Sequence, residues 1–303
     1  MCPMKKTLKI AGIVVASLIG VLLVAFLLAR FVFREQIAAA LDDALATQRT
    51  ELLREAAPYA ADTVSYRFTY RQDTARAREI REYFRLDTLL RDGATTWDNT
   101  LALAKFVAGH IPHANQKIQP EKRNAIALWE YSRTVEPAFN CRLHAIMLHE
   151  LTLAAGIASR FVTCLPADSL DQDCHVVNIV WLPERQKWAM IDSDGCSFIT
   201  DPAGTPLSLA EMREKTIAGE PMEVHPLGAG ETYDNLLSYW AKNLYWFECW
   251  ESTGFDQEPA PKGEGLSVAL LPPGFAGFKL RTPTVVTSDP DRFWAAPGTE
   301  TAL

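Results

Sequence analysis

Between Ile10 and Ala29 the chain reads IAGIVVASLIGVLLVAFLLA, with no charged side chain and Ser17 as its single polar one. Few features restrict a chain more. As a helix the run spans roughly 30 Å, about the thickness of a bilayer's hydrocarbon core. Lys5, Lys6 and Lys9 precede it and Arg30 and Arg34 follow it. That slight excess of positive charge on the near side favours a cytoplasmic N-terminus and an extracytoplasmic body. A cleaved signal peptide is the competing reading, but its apolar core would be shorter. No A-x-A site follows promptly, although AAALDDALA at 38–46 is open to cleavage. Cys2 stands before the apolar run, out of place for a lipoprotein cysteine. The expectation is an uncleaved, single-pass membrane anchor.

The remaining residues of the 303 have room for one large or two modest domains with a sizeable core. Hydrophobic residues at 48% and charged ones at 22% describe an ordinary folded protein. A formal charge of -7, with no lysine-arginine cluster to override it, argues against nucleic acid as a partner. After the apolar run comes an alanine- and charge-rich segment with Ile37, Leu41, Leu45 and Leu52 on a helical stripe. A stalk and a helix packed on the body are both open readings of it. AREIREYFRLDTLL and TTWDNTLALAKFVAGHI then read as two further helices.

The stretch FNCRLHAIMLHELTLAAGIASRFV, 139–162, carries the chemistry. Ala145, Leu148, Thr152 and Ala155 recur at three- and four-residue steps with Ile146 and Leu153 beside them, which predicts a helix over 141–155. Asn140 is a favoured N-cap and Gly156 is the residue type expected just past the end. Cys141 therefore opens the helix, where unpaired N–H groups and the positive end of the dipole favour an anion. A thiolate is the nucleophilic form of cysteine. Such a nucleophile needs a base, and the base needs a group to orient it.

IASRFVTCLP reads as a strand, and HVVNIVWLPERQKWAMIDSD as a hairpin around the polar turn PERQ. His175 opens its first strand and Asp192 closes its second. Folded about its middle, the hairpin sets the two opposite or nearly so, with Cβ atoms roughly 5 Å apart and within reach of an imidazole–carboxylate hydrogen bond. A slip of one residue would send them to different faces. Cysteine, histidine and aspartate then compose a thiol triad.

NCRLHAIMLHELTLAAGIASRFV, DCHVVNIVWLPERQKW and MIDSD resemble the cysteine, histidine and aspartate motifs of the transglutaminase-like superfamily, and LSLAEMREKTIAG resembles a helix of its bacterial members. The resemblance covers about residues 95–220. It implies an α+β, papain-like core in which a nucleophile helix packs on an antiparallel sheet, here in a bacterial, membrane-anchored member. It implies Cys141 as nucleophile, His175 as general base and acid, and Asp192 as the orienting carboxylate, with no cofactor and no metal. The family often has Asp-Pro where Ser193 and Asp194 follow here, so Asp194 is a rival for the orienting role. Peptide or protein amides are the implied substrates. A domain of this fold that binds peptides or partner proteins without turnover is the alternative, and a zinc-stabilised interaction module a third.

Asn115 or Gln116 would supply a second oxyanion donor. His110 and His113 fit one helical face in surface or supporting roles, while His144 and His149, five apart, make no metal motif. Cys164, Cys174, Cys196 and Cys249 would form one or two disulfides or remain buried thiols. SYWAKNLYWFECW, 238–250, reads as a helix laying its aromatic side on the body. GLSVALLPPGFAGFKLRTPTVV suggests short strands, and SDPDRFWAAPGTETAL an irregular end. The expected organisation is a tail at 1–9, an anchor at 10–33 and a helical linker or stalk at 34–66. The catalytic domain follows at 67–220 and an appendage packed on it at 221–303. The sequence leaves the oligomeric state open.

Overall fold

The computed structural model describes residues 3–70, 73–228, 236–258, 266–276 and 283–298, and of residues 3–11 the backbone alone. Cys2 and parts of the two C-terminal stretches discussed above (265, 277–282 and 299–303) lie outside the described residues. The chain divides into two units, Met1–Gln48 and Arg49–Leu303.

In the first unit, α1 (Pro3–Phe31) starts within the expected N-terminal tail and carries the apolar run. Its segment Gly12–Phe31 has a mean hydropathy of 2.9 and none of it is buried, so it is long and apolar enough to cross a membrane. Helix α2 (Arg34–Glu55) begins in this unit, with Ile37, Leu41 and Leu45 of its stripe exposed.

The second unit takes up the end of α2, where Leu53 rather than Leu52 is buried. There follow β1 (Thr69–Tyr70), α3 (Thr74–Phe84), α4 (Thr96–His110), α5 (Ala125–Thr134), α6 (Cys141–Ala154), β2 (Ser159–Leu165), β3 (His175–Leu182), β4 (Lys187–Ile191) and β5 (Ser197–Thr200). The chain continues through α7 (Leu209–Ala218), β6 (Glu223–Pro226), α8 (Leu236–Asn243), β7 (Trp246–Trp250), β8 (Ser252–Thr253), β9 (Ser267–Leu270), β10 (Thr284–Thr287) and α9 (Pro290–Phe293). Local chemistry sets several ends. Thr95 and Asp98 form a capping box at the start of α4, as Ser208 and Glu211 do for α7, which Gly219 closes at φ 71°.

Among the described residues the main sheet has six strands in the order β10-β9-β7-β2-β3-β4, antiparallel except where β10 runs parallel to β9. Helix α6 packs on β2 and β3, and α3, α4 and α5 pack around it. From Leu143 to Ala154 every one of its residues is buried. This explains why its pattern is apolar on nearly all sides rather than on one stripe. Each leucine removed from water there contributes about 1.5–3 kcal/mol. Val176, Val180 and Leu182 join the core under α6, whereas Val177 and Ile179 join the core on the other face with Trp240 and Phe247.

The C-terminal third differs from expectation. The stretch 238–250 is not one helix: α8 ends at Asn243, and Trp246–Trp250 is β7, in the middle of the sheet. WFECW is aromatic-rich and apolar at four of its five positions, which suits a strand covered on both faces. With β9 and β10, the region expected to be an appendage supplies three of the six strands of the main sheet.

Candidate active site

Asn140 holds an extended conformation, and its Oδ1 accepts the Leu143 N–H at 3.1 Å. This N-cap fixes the first turn of α6 and puts Cys141, half-buried, at its first position. Two further contacts hold the turn. Asn178 of β3 donates its Nδ2 to the Ala145 carbonyl at 2.9 Å. Arg142 donates from Nε to Glu258 Oε2 at 3.0 Å and from Nη2 to Oε1, while Trp250 Nε1 donates to Oε1 at 3.1 Å. The buried Glu258 carboxylate thus neutralises the cation next to the nucleophile.

His175 is buried at the start of β3, its ring edge-on to Tyr239 and Trp240 with centroids 5.5 and 5.4 Å away. Nε2 lies 2.6 Å from Asp192 Oδ2, and Cys141 is close enough to act on the ring as well. Burial pulls the imidazole toward neutrality. The Asp192 charge and hydrogen bond, together with Cys141, outweigh it and hold the pKa well above the ordinary value. The structure therefore pairs His175 with Asp192, with Cys141 in range of the same ring.

The hairpin achieves this with a register two residues from direct opposition. Asn178 pairs with Ile191 and Ile179 with Met190, so continuing the ladder sets Asp192 across from Val177. His175 and Asp192 are diagonal neighbours on one face, still within reach of long side chains. Beyond Ile191 the chain turns back, Asp192 and Ser197 exchanging both backbone hydrogen bonds. Within that turn Asp192 Oδ1 accepts the N–H groups of Asp194 and Gly195 at 3.1 and 2.8 Å. Gly195 is required by closeness: a Cβ there would overlap Asp192 Oδ2 and lie 3.0 Å from Cγ.

Asp194, the rival carboxylate, is bound elsewhere. Its Oδ1 lies 2.8 Å from His113 Nδ1 and 3.6 Å from His144 Nε2. Burial raises the Asp194 pKa, but the hydrogen bond from His113 and the fields of the three nearby histidines lower it further than burial lifts it. His113 is raised, chiefly by its hydrogen bond to Asp194. The residue is not helical, because α4 ends at His110. It lies in a loop bridged to Phe139: Ala114 N–H donates to the Phe139 carbonyl at 2.7 Å, and Phe139 N–H to that of Pro112 at 2.9 Å.

Of the expected oxyanion donors, Gln116 spends its Nε2 on the Ala114 and Ala138 carbonyls, each at 2.8 Å, and Asn115 is exposed. Gln116 thus splints the loop with its amide N–H groups. His144 and His149 are buried in the core around α6, where burial lowers both and brings His149, whose Nδ1 lies 2.7 Å from Ser159 Oγ, to about 4. The described cysteines are all free thiols. Burial raises Cys164, and brings Cys196 and Cys249 to about 11. Among the described residues no group of three or more His, Cys, Asp or Glu side chains is arranged to hold a metal.

Sequence reasoning passed over Gly195, Asn178 and Glu258. Gly195 had a signal, the turn-forming Asp-Ser-Asp-Gly, and so did Asn178, a polar break in HVVNIVWL. Glu258 had none, standing 116 residues from Arg142.

A helix-borne cysteine packed on an antiparallel sheet whose hairpin presents a buried His–Asp pair defines an α+β fold of the papain-like class. Residues 85–193 match the family model of the Transglutaminase-like superfamily, and this part of the chain is a transglutaminase-like domain. No curated protein matches the sequence. Among solved structures, one from Cytophaga hutchinsonii, provisionally described as a cysteine protease, is similar at 14% identity and a TM-score of 0.31. The similarity covers 52% of this chain and 55% of that one, so the chain spans about half of that protein.

Proposed function

We propose that the protein is a membrane-anchored, thiol-dependent enzyme that cleaves or transfers peptide-like amides through Cys141, His175 and Asp192. One observation carries the reading: Cys141 opens α6 and acts on a buried imidazole whose Nε2 lies 2.6 Å from a carboxylate. In the proposed mechanism the Cys141 proton passes to His175, and the thiolate attacks the amide carbonyl. The carbonyl π electrons move onto oxygen, and N–H groups at the start of α6 stabilise that charge. As the tetrahedral intermediate collapses, the C–N bond breaks and His175 gives its proton to the departing amine, leaving a thioester on Cys141. Water, deprotonated by His175, releases a carboxylic acid, or a second amine takes the acyl group; either restores the thiol. Asp192 stabilises the imidazolium and fixes the ring.

The anchor belongs to the same proposal: Gly12–Phe31 would span the bilayer, with the lysine-rich end cytoplasmic and the enzyme outside. To test the chemistry, Cys141 is alkylated with iodoacetamide near neutral pH and its labelling rate is read by mass spectrometry. His175→Ala should slow it on the order of 100-fold, because the thiol loses its base and its counter-charge. Equal rates in the two proteins would end the triad reading. Amine incorporation and peptide cleavage, each compared with Cys141→Ala, separate transfer from hydrolysis.

A further inference from the structure

The segment that follows β8 is fastened to the nucleophile helix at two levels. At the far level, Glu150 of α6 accepts the Asp256 N–H on Oε1 and the N–H of Ala125, which opens α5, on Oε2, each at 2.7 Å. The Asp256 carboxylate in turn accepts from Asn124 Nδ2 at 2.7 Å and from Arg76 Nη2 at 3.1 Å. Asp256 sits at φ 56°, in the left-handed region that residues other than glycine seldom adopt. At the near level, Glu258 meets Arg142, the residue joined directly to Cys141. The Glu258 side chain is 4% exposed and takes both arms of the guanidinium fork, Nε on Oε2 at 3.0 Å and Nη2 on Oε1. Trp250 Nε1 shares Oε1 at 3.1 Å, and Arg123 Nη1 lies 3.7 Å from Oε2. The Arg123 N–H also donates to the Glu258 carbonyl at 3.2 Å.

We propose that Glu258 is a positioning residue of the nucleophile: by gripping Arg142 it holds the first turn of α6 so that the Cys141 thiol keeps its place at His175. This rests on the triad reading and adds to it a residue that acts through Arg142. A bidentate pair fixes direction as well as distance. Stability alone is a poor reason to bury one, because apolar groups of similar volume often serve a fold as well or better. What this pair fixes is the second residue of α6, and with it the backbone that carries the thiol. The other ties on the turn reach further along it: Asn140 caps Leu143, and Asn178 takes the Ala145 carbonyl. The N–H groups of Cys141 and Arg142 open the helix and have no carbonyl one turn earlier. They are the donors an oxyanion would meet, so a displaced Arg142 would move the thiol and those donors together.

A double-mutant cycle on the full chain in detergent micelles tests this, read as the iodoacetamide rate at Cys141 near neutral pH. The quantity of interest is the factor by which His175→Ala slows labelling, on the order of 100-fold in the wild type. Glu258→Gln should itself slow labelling about 10-fold, and in that background the His175→Ala factor should shrink to about 10-fold, because a misplaced thiol gains less from the ring. The Arg142 charge released by Glu258→Gln acts on the thiol with or without His175, so it cancels from the comparison. Arg142→Lys keeps both charges and loses the fork, and should lower the factor about four-fold. A purely structural Glu258 would lower the melting temperature and leave the factor alone. Circular dichroism melting establishes which variants are folded, and where Glu258→Gln is not, Arg142→Lys decides. A His175→Ala factor within two-fold of the wild-type factor in the folded variant overturns the assignment. Failure of the triad reading appears elsewhere, in a wild-type rate that His175→Ala leaves unaltered.

Discussion

The two histidine–aspartate pairs share one turn and nearly one bond length, 2.6 Å for His175–Asp192 and 2.8 Å for His113–Asp194, yet they live in different dielectrics. His175 is enclosed by Tyr239 and Trp240, whereas His113 lies on a loop open to water. A hydrogen-bonded ion pair in a dry site acts strongly on its neighbours, and the same pair in contact with solvent is screened. Burial keeps the first pair out of water, whereas the second is in contact with it.

Removing the buried carboxylate should break the contrast most severely. Asp192→Asn takes away the charge that chiefly offsets burial at His175, and iodoacetamide labelling of Cys141 near neutral pH should slow by on the order of 100-fold. A loss under three-fold would mean that burial does not set the two pairs apart. Next comes Gly195→Ala, which leaves every triad residue in place but drives a Cβ into Asp192 Oδ2. A displaced carboxylate should cost about 10- to 100-fold in the same assay. Wild-type labelling in this variant would show that the turn yields without disturbing Asp192.

The smallest effect concerns stability against pH, and the signs are opposite. His175 is raised in the folded state, so its contribution is whole below its ordinary value near 6.5 and is lost as pH rises through the higher folded value. Asp194 is lowered, so its contribution is whole above its ordinary value near 3.8 and is lost as pH falls through the lower folded one. Melting curves from pH 3 to pH 10 should show His175→Gln flattening the alkaline limb and Asp194→Asn the acid limb. A His175→Gln profile parallel to the wild type on the alkaline side would contradict the raised imidazole.

What could be read in advance was local. Asn140, Cys141 and Gly156 give the nucleophile helix its ends because capping and positive φ are properties of a few neighbouring residues. The apolar run in α1 and the two strands around PERQ are legible for the same reason, since period and turn chemistry repeat along the chain. Even the His175–Asp192 meeting was nearly local: a hairpin brings residues 17 apart to one face, and a register error of two keeps them there.

Everything decided by the sheet order and by loop docking was out of reach. Trp246–Trp250 is a strand because an opening between β2 and β9 receives it, and aromatic residues next to a helix carry no mark of that opening. Asp192 and Asp194 look alike on paper, and only the turn at Gly195 assigns one to His175 and the other to His113. Glu258 reaches Arg142 across 116 residues. The sequence by itself determined the apolar N-terminal helix, the capped thiol and its hairpin partner. The tertiary structure alone decided which acid serves which base, because burial and contacts between distant segments exist only once the chain has closed on itself.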